Sequence, residues 1–589
     1  MTTTAAPPAT RPTEQSPEPA LPSPPPSRER DARRRYLAFL LLALFAALAV
    51  RTTLAFTDNA PATDESAYLR SGMNIWDGDG FVREGPELHF PPLLPFLFGG
   101  AAQFTDDPHT GAVIVMVIAG TLLVLPLASL GRRIGGDLAG LLTAGVVAVG
   151  PALTTLITNK GAGSEAVYTL LVATAVWFAV AARSKEPRVS IARAAAAGGT
   201  IGLAYLARPE GLLFSALVVP ALILGAIGGW KAIRSRQVSR SQLGRAALLT
   251  GAFGVALLVP LVPYVSYLHD KTGQWQLTAK TYDSSIEAWR AVAEGDRPAR
   301  DSVLYAVDEE TGLEFVAEQH TLPSLARDDP GGYLGIVGVN LDTLVDITVF
   351  PDTKGPLTHW EVIPVAVLAV GLWATWRNRK NATAMVVFIA SAVPVMTALI
   401  FFVQPRYLIP AAAFMCVLIG VGLAQVPVHW RVPVWIIAGA LLVTSTAAGF
   451  YGGAGWWHPH EHVEHRIVGN WINDNTATDE KIMNRSMVVE FYAERPTVAV
   501  PYADDLDETL RFARYYGADY LVADEYFLEW VRPQLHKLWE PGPWKGLDLV
   551  YEFETEGRLT RVFRIGGSHD RVGRNAPDNG YVGDQSSGQ

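Results

Sequence analysis

The sequence predicts a polytopic α-helical membrane protein of about eleven spans, followed by a C-terminal extracytoplasmic α/β domain. Three observations support this. Apolar runs fill most of residues 36–450, whereas 1–30 and 455–589 are polar, and a run of about 20 apolar residues crosses the hydrocarbon core. Lys and Arg cluster in every second short loop, the bias that orients membrane helices. Beyond Trp456-Trp457 the apolar residues fall into short stretches that alternate between strand-like and helix-like patterns.

Taken in order, residues 1–30 are rich in Pro, Thr, Ser and Glu and hold almost no large apolar side chains, so they are expected to be a disordered cytoplasmic tail. Arg33, Arg34 and Arg35 precede the first span, 36–56, and keep the N-terminus in the cytoplasm. That span is too long for a signal-peptide core and reads as a retained anchor. Further spans are placed near 111–131, 137–156, 164–182, 192–207, 211–229, 246–268, 360–376, 382–403, 407–425 and 433–451, within a membrane domain covering 31–454. Alternation puts Arg132/Arg133, Arg183/Lys185/Arg188, Lys231 to Arg245 and Arg377/Arg379/Lys380 in the cytoplasm. The opposite loops carry isolated cations: Lys160, Arg208 and Arg406. Two long loops lie outside, 57–110 and 269–359, and amphipathic helices in the headgroup region account for both. In the extracytoplasmic domain, 455–567, strands are expected at Lys481 to Val489, Thr497 to Pro501 and Tyr520 to Ala523, and a helix at Asp507 to Tyr516. Val550 to Phe553 and Thr560 to Ile565 fit a hairpin, and 568–589 reads as a disordered tail. The topology places the protein in the inner (plasma) membrane, multi-pass, in contact with membrane lipids.

Composition excludes several functions. Among 589 residues with a net charge of −9, the basic residues sit in short loops rather than on one face, so no nucleic-acid partner is implied. The single cysteine, Cys416, allows neither an intramolecular disulfide nor a thiolate metal site. In His458-Pro459-His460-Glu461-His462-Val463-Glu464-His465 the pairs His458/His462 and Glu461/His465 have i,i+4 spacing, but Glu464 stands where a zinc-protease pattern needs His. A solvated helix start is the better reading of that run.

Ionisable groups then collect at span ends on the outer side: Asp64 and Glu65, Lys160 and Glu165, Arg208 and Glu210, Arg406 beside Tyr407. Each alone serves equally as a helix cap or an interfacial anchor. Together they point to a shared polar cavity. A carboxylate accepts a proton from an attacking hydroxyl or holds a divalent cation. Guanidiniums bind phosphate through a planar fork of donors. That combination at the mouth of a lipid-accessible bundle suits glycosyl transfer from a lipid-phosphate sugar.

The Asp64-Glu65 pair, the run Asn74-Ile75-Trp76-Asp77-Gly78-Asp79-Gly80-Phe81 and the approach Pro91-Pro92-Leu93-Leu94-Pro95-Phe96 resemble GT-C glycosyltransferases of family 39. This group includes protein O-mannosyltransferases and resembles the lipid A aminoarabinose transferase. Ala207-Arg208-Pro209-Glu210-Gly211 and Arg406-Tyr407-Leu408-Ile409-Pro410 are similar to later signatures of the family, in the same order. The resemblance implies a polyprenyl-phosphate-linked sugar donor, an outer-face site, inversion at the anomeric carbon, and a lipid, glycan or protein acceptor. It implies Asp64 as catalytic base or as the carboxylate of a divalent cation (Mg or Mn), with Glu65 as an orienting neighbour. Arg208 and Arg406 would meet the donor phosphate. Glu165, Glu210 and Tyr407 would line the substrate site. One departure stands out: relatives with a Glu-Lys pair before the double proline differ from this chain, which has His89-Phe90 there and Glu84 and Glu87 upstream. Glu84, Glu87 and His89 are therefore candidate substrate contacts, and the cation contact is lost or moves to His89 or Lys160.

A transporter or flippase is the alternative, since transporters set ionisable groups near mid-membrane between paired halves. Here those groups gather at one face. An envelope assembly protein with an inactive membrane site is a third reading.

Overall fold

The computed structural model describes residues 26–55, 60–61, 63–83, 85–158, 163–184, 186–229, 234–235, 238–279, 285–308, 310–316, 322–348, 365–401, 403–451, 463–525, 528–555 and 558–566. Lys160, Glu84, His458, His460 and His462 lie outside these residues, as do the two polar tails at 1–25 and 567–589.

Among the described residues eight helical runs are long and apolar enough to cross a membrane. They include α1 (Pro26–Ala55), α7 (Ser164–Ala181), α8 (Pro187–Ala207) and α9 (Ser215–Ile227), the last preceded by a 3₁₀ turn over Pro209–Phe214. The run formed by α4 (Pro108–Leu122) and α5 (Val124–Val149) is two spans, because it turns at Gly136, whose φ of 80° is left-handed. The two limbs fold against each other. A Cβ on Gly140 would lie 2.9 Å from the Arg132 Cβ and 3.0 Å from the Ala128 oxygen. The second limb continues past Gly150 into α6 (Pro151–Thr158). The remaining long runs contain α10 (Arg240–Thr272), α16 (Ala382–Ile400) and α17 (Ile409–Gln425). The apolar helices α15 (Val365–Arg377) and α18 (Val428–Tyr451) stand where the other two spans are expected. The helices thus follow the expected spans in order, and the chain is a multi-pass membrane protein. α17 is the most enclosed, packed along α5 where Gly420 meets Thr143. The expected span at 192–207 is longer than its Ala/Gly-rich core, starting at Pro187, which supplies a preset N-terminal turn.

The segment after the first span is not a plain loop. It folds as α2 (Thr63–Asp77) and α3 (Leu93–Ala102), which cross with Gly72 against Pro95 and Gly99. Any side chain at Gly72 or Gly99 would strike partner backbone, so the pair of glycines sets how closely these helices approach. The second long segment also differs from helices lying free in the headgroup layer. It forms α11 (Ile286–Glu294), α12 (Arg297–Leu304), α13 (Leu322–Asp328) and α14 (Pro330–Thr348). Asn340 of α14 is fully buried and donates to the Leu399 and Phe401 carbonyls at 3.0 and 2.9 Å, so α14 is docked on the end of α16.

The C-terminal domain is a five-stranded sheet in the order β2-β1-β3-β5-β4. β1 (Lys481–Asn484), β2 (Thr497–Ala499) and β3 (Ala518–Asp524) run parallel, and β4 (Leu547–Thr555) and β5 (Arg558–Ile565) add an antiparallel hairpin. Central β3 is buried on both faces: Tyr520 and Val522 pack with α19 (Val463–Asn475), and Leu521 and Ala523 with α21 (Leu506–Tyr515). One expectation fails here. The strand expected over Lys481 to Val489 ends at Asn484, and α20 (Met487–Ala493) follows. Asn484 Oδ1 accepts the Ser486 N–H at 2.7 Å, a local turn that stops the strand, and packing against α19 overrides the β preference of Val488 and Val489. α22 (Leu528–Val531) closes the domain.

Candidate active site

Proline places both arginines. Pro209 pushes Arg208 into extended backbone (φ −152°, ψ 129°), ending α8. Pro405 starts a short 3₁₀ turn, Pro405–Leu408, ahead of α17, with Arg406 in it. Asp64 lies in the first turn of α2, where the helix dipole favours a carboxylate.

These three residues meet. Arg406 donates from Nη1 to Asp64 Oδ2 at 2.9 Å, from Nε to Gln404 Oε1 at 2.8 Å and from Nη2 to the Tyr407 hydroxyl at 3.2 Å. Arg208 donates from Nη1 to Glu165 Oε1 at 2.9 Å and Ser164 Oγ at 3.1 Å, and its Nη2 lies 3.5 Å from Glu210 Oε1. Tyr407 is shared: the Arg208 and Arg406 guanidinium carbons lie 4.8 and 5.1 Å from its ring centre. Such contacts hold a cation without neutralising it. Arg208, Arg406, Tyr407, Glu165 and Glu210 open onto a cleft of about 650 Å³, including its mouth, with Phe214, Pro394, Phe401 and Pro410 among its walls, and Asp64 joins it through Arg406. Glu165 is almost fully buried there, and its Oε2 has no hydrogen-bond partner among the described residues. A buried carboxylate oxygen of that kind is a ready acceptor for a ligand hydroxyl.

Of the other residues singled out in the sequence, Glu65 points about 100° around α2 from Asp64 and is buried against His109, Oε1 to Nδ1 at 2.6 Å. Glu87 is buried as a hub, accepting from Ser71 Oγ (3.1 Å), Arg83 Nε (3.1 Å), and the backbone N–H groups of His89 (2.9 Å) and Phe90 (3.1 Å). It organises the turn before the double proline. His89 sits in that turn, its ring edge-on to Phe90. His465 is buried among Ser486 and Asp524 of the C-terminal domain.

Asp64 is the carboxylate that the sequence offers to a divalent cation (Mg or Mn). Its oxygen is held by a guanidinium, and no group of three or more His, Cys, Asp or Glu side chains converges among the described residues. Two tyrosines beside the site residues were not singled out from sequence. Tyr168 lines the cleft with the Arg208 guanidinium 5.8 Å above its ring, and Tyr68 is buried one turn beyond Asp64. The available signal was spacing: each tyrosine lies three or four residues after a site carboxylate on the same helix face.

This is the architecture of a multi-pass membrane protein whose polar cleft sits at the ends of its helices. No protein-family model matches the sequence, and no curated protein does. Solved structures do match. The oligosaccharyltransferase of Archaeoglobus fulgidus in its apo form aligns at a TM-score of 0.53 and 13% identity, over 89% of this chain and 74% of that one. The archaeal oligosaccharyltransferase AglB from the same organism, in complex with an inhibitory peptide and a dolichol-phosphate, aligns at 0.53 and 14% identity, over 90% and 74%. ArnT from Cupriavidus metallidurans in the apo state aligns at 0.53 and 13% identity, over 91% of this chain and 98% of that one. The chain has the GT-C glycosyltransferase fold.

Proposed function

We propose that this protein is a glycosyltransferase that moves a sugar from a polyprenyl-phosphate donor to an acceptor hydroxyl, with inversion, at the outer face of the cytoplasmic membrane. The observation that carries the reading is the Asp64–Arg406–Tyr407–Arg208 array: two ring-supported guanidiniums on one cleft, one of them paired to a carboxylate. The fold shared with oligosaccharyltransferase and ArnT structures is consistent with it.

The chemistry follows from the donors and acceptors present. The donor phosphate takes the guanidinium forks of Arg406 and Arg208, which spread the charge of the departing phosphate. As Arg406 turns to phosphate, Asp64 is released from its ion pair and accepts the proton of the acceptor hydroxyl. The hydroxyl oxygen bonds to the anomeric carbon from the face opposite the phosphate, and the bond from that carbon to the phosphate oxygen breaks. Polyprenyl phosphate leaves. Glu165 and Glu210 hold Arg208 in place, and Glu165 Oε2 accepts from a sugar hydroxyl. Lys160 and His89 are the remaining candidates for a further phosphate contact. In this reading the N-terminus is cytoplasmic and the C-terminal domain extracytoplasmic, with the acceptor a lipid, glycan or protein.

The test is transfer from synthetic polyprenyl-phosphate sugars in proteoliposomes. Asp64→Asn should lower transfer about 10²–10⁴-fold, the range general-base catalysis supplies, with the folded protein recovered in equal yield. Retention of full activity by this variant rejects the assignment.

A further inference from the structure

The outer segment and the C-terminal domain meet the cleft from two directions. On the Asp64 side, α20 of the C-terminal domain packs on α2. Its Phe491 is buried in the apolar core of the membrane domain, with Met487 and Tyr492 packed against that core. Arg466 of α19 lies over the Tyr492 ring at 5.5 Å and faces Asp107 Oδ2 at 3.9 Å. Asp107 is the N-cap of α4, and two residues on, His109 grips Glu65, the neighbour of Asp64.

At the cleft itself, the chain end of α16 forms a wall at Thr397, Ala398 and Phe401. Trp289 of α11 donates from Nε1 to the Phe401 carbonyl at 2.9 Å, beside the two Asn340 bonds. α11 packs on α12, and α12 carries Asp301, of which only 2% of the side chain is exposed. Asp301 accepts from Arg485 Nε and Nη2 at 3.0 and 3.1 Å and from Arg532 Nη1 at 2.9 Å, both in the C-terminal domain. The Tyr305 carbonyl accepts the Tyr502 N–H at 2.7 Å, and the Tyr516 hydroxyl donates to the Leu313 carbonyl at 2.7 Å. Buried, fork-matched carboxylate–guanidinium contacts of this kind fix geometry more than they add stability.

We propose that the C-terminal domain is a brace of the cleft, fastened to the Asp64 helix through α20 and Arg466 and to the Phe401 wall through Asp301. Arg466 and Asp301 are then positioning residues for the transfer reaction, an assignment that rests on the transferase reading for its kinetic part. The Asp64–Arg406 pair and the Phe401 wall must keep a fixed separation if donor and acceptor are to react. A misplacement of about 1 Å costs about 10²-fold in rate.

The experiment uses the full chain in nanodiscs and compares wild type with Asp301→Asn and Arg466→Ala by backbone hydrogen exchange and by steady-state kinetics. Asp301→Asn should speed exchange at residues 397–401, and Arg466→Ala at 64–69, while β3 amides keep their protection. Both variants should lower kcat about 10-fold, with the donor KM changed less than about twofold, and Arg466→Lys should recover most of the loss. Unchanged exchange at both walls overturns the brace, as does a raised donor KM with kcat intact. If Asp301→Asn also loses β3 protection, Arg466→Ala alone decides. A wild-type chain without transfer activity rejects the transferase reading, and the exchange result then stands or falls for the brace independently.

Discussion

Two carboxylate–guanidinium clusters of nearly the same composition occupy this molecule, and they are built to different ends. At the cleft, Asp64 keeps 33% of its side chain exposed and Arg406 16%, joined by one short contact. In the second knot, Asp301 and Arg532 are sealed at 2% and 0%, and three short contacts converge on one carboxylate. Tyrosine rings support both sets of guanidiniums, Tyr407 at the cleft and Tyr305 in the knot. What differs is access. An ion pair at a cleft mouth can exchange its partner for a ligand phosphate, whereas a sealed one has no competitor and holds its elements in register. Solvent exposure, more than residue type, separates a reactive pair from a fastening one.

The contrast can be broken most directly by deleting each carboxylate. Asp301→Ala leaves buried guanidiniums uncompensated and should cost about 3–5 kcal/mol, read as a lowered melting temperature in detergent. Asp64→Ala should cost no more than about 1 kcal/mol, as for exposed pairs; equal losses would erase the distinction. Arg406→Ala should lower transfer about 10²–10³-fold, the scale of a lost oxyanion donor, without matching destabilisation. Arg406→Lys should recover little, because an ammonium cannot reach Asp64, Gln404 and Tyr407 together.

A smaller effect sharpens the picture of the C-terminal domain. Burial alone would lower the His465 pKa, but the Asp524 carboxylate, 3.4 Å away, and Glu464 outweigh it and hold the imidazole above its ordinary value. A raised folded-state value means this contribution is complete below the unfolded value of about 6.5. It is lost as pH rises through the folded one. Melting temperature should therefore fall as pH rises above about 6.5, and His465→Asn should flatten that slope. A wild-type slope that survives the substitution refutes the attribution.

Much of this design is legible in the sequence, for physical reasons. Bilayer thickness makes spans readable as lengths, and loop charge makes alternation readable, so Asp64, Arg208 and Arg406 can be gathered on one side of the membrane from the chain alone. Pairing is not legible, because it depends on helix rotation and crossing. Nothing in Glu165 or Asp64 says which arginine each will meet. Nor does Glu87 announce that its oxygens serve a turn, or Asp301 that it lies between two distant arginines. Lys481 to Val489 reads as one strand by β preference, and its end from Met487 becomes a helix because its neighbours require one.

Arg51 bears on how the chain is made. This fully buried guanidinium near the end of α1 donates to the Val147 and Ala148 carbonyls, 96 and 97 residues later in the chain, and to Leu153, 102 residues later. Those carbonyls flank the break at Gly150-Pro151, where helical bonding is interrupted. One further acceptor, the Ala47 carbonyl, lies in the same helix, whereas the others belong to a span 96 to 102 residues further along the chain. Full seating of this side chain therefore depends on the span that brings Val147, Ala148 and Leu153 against α1.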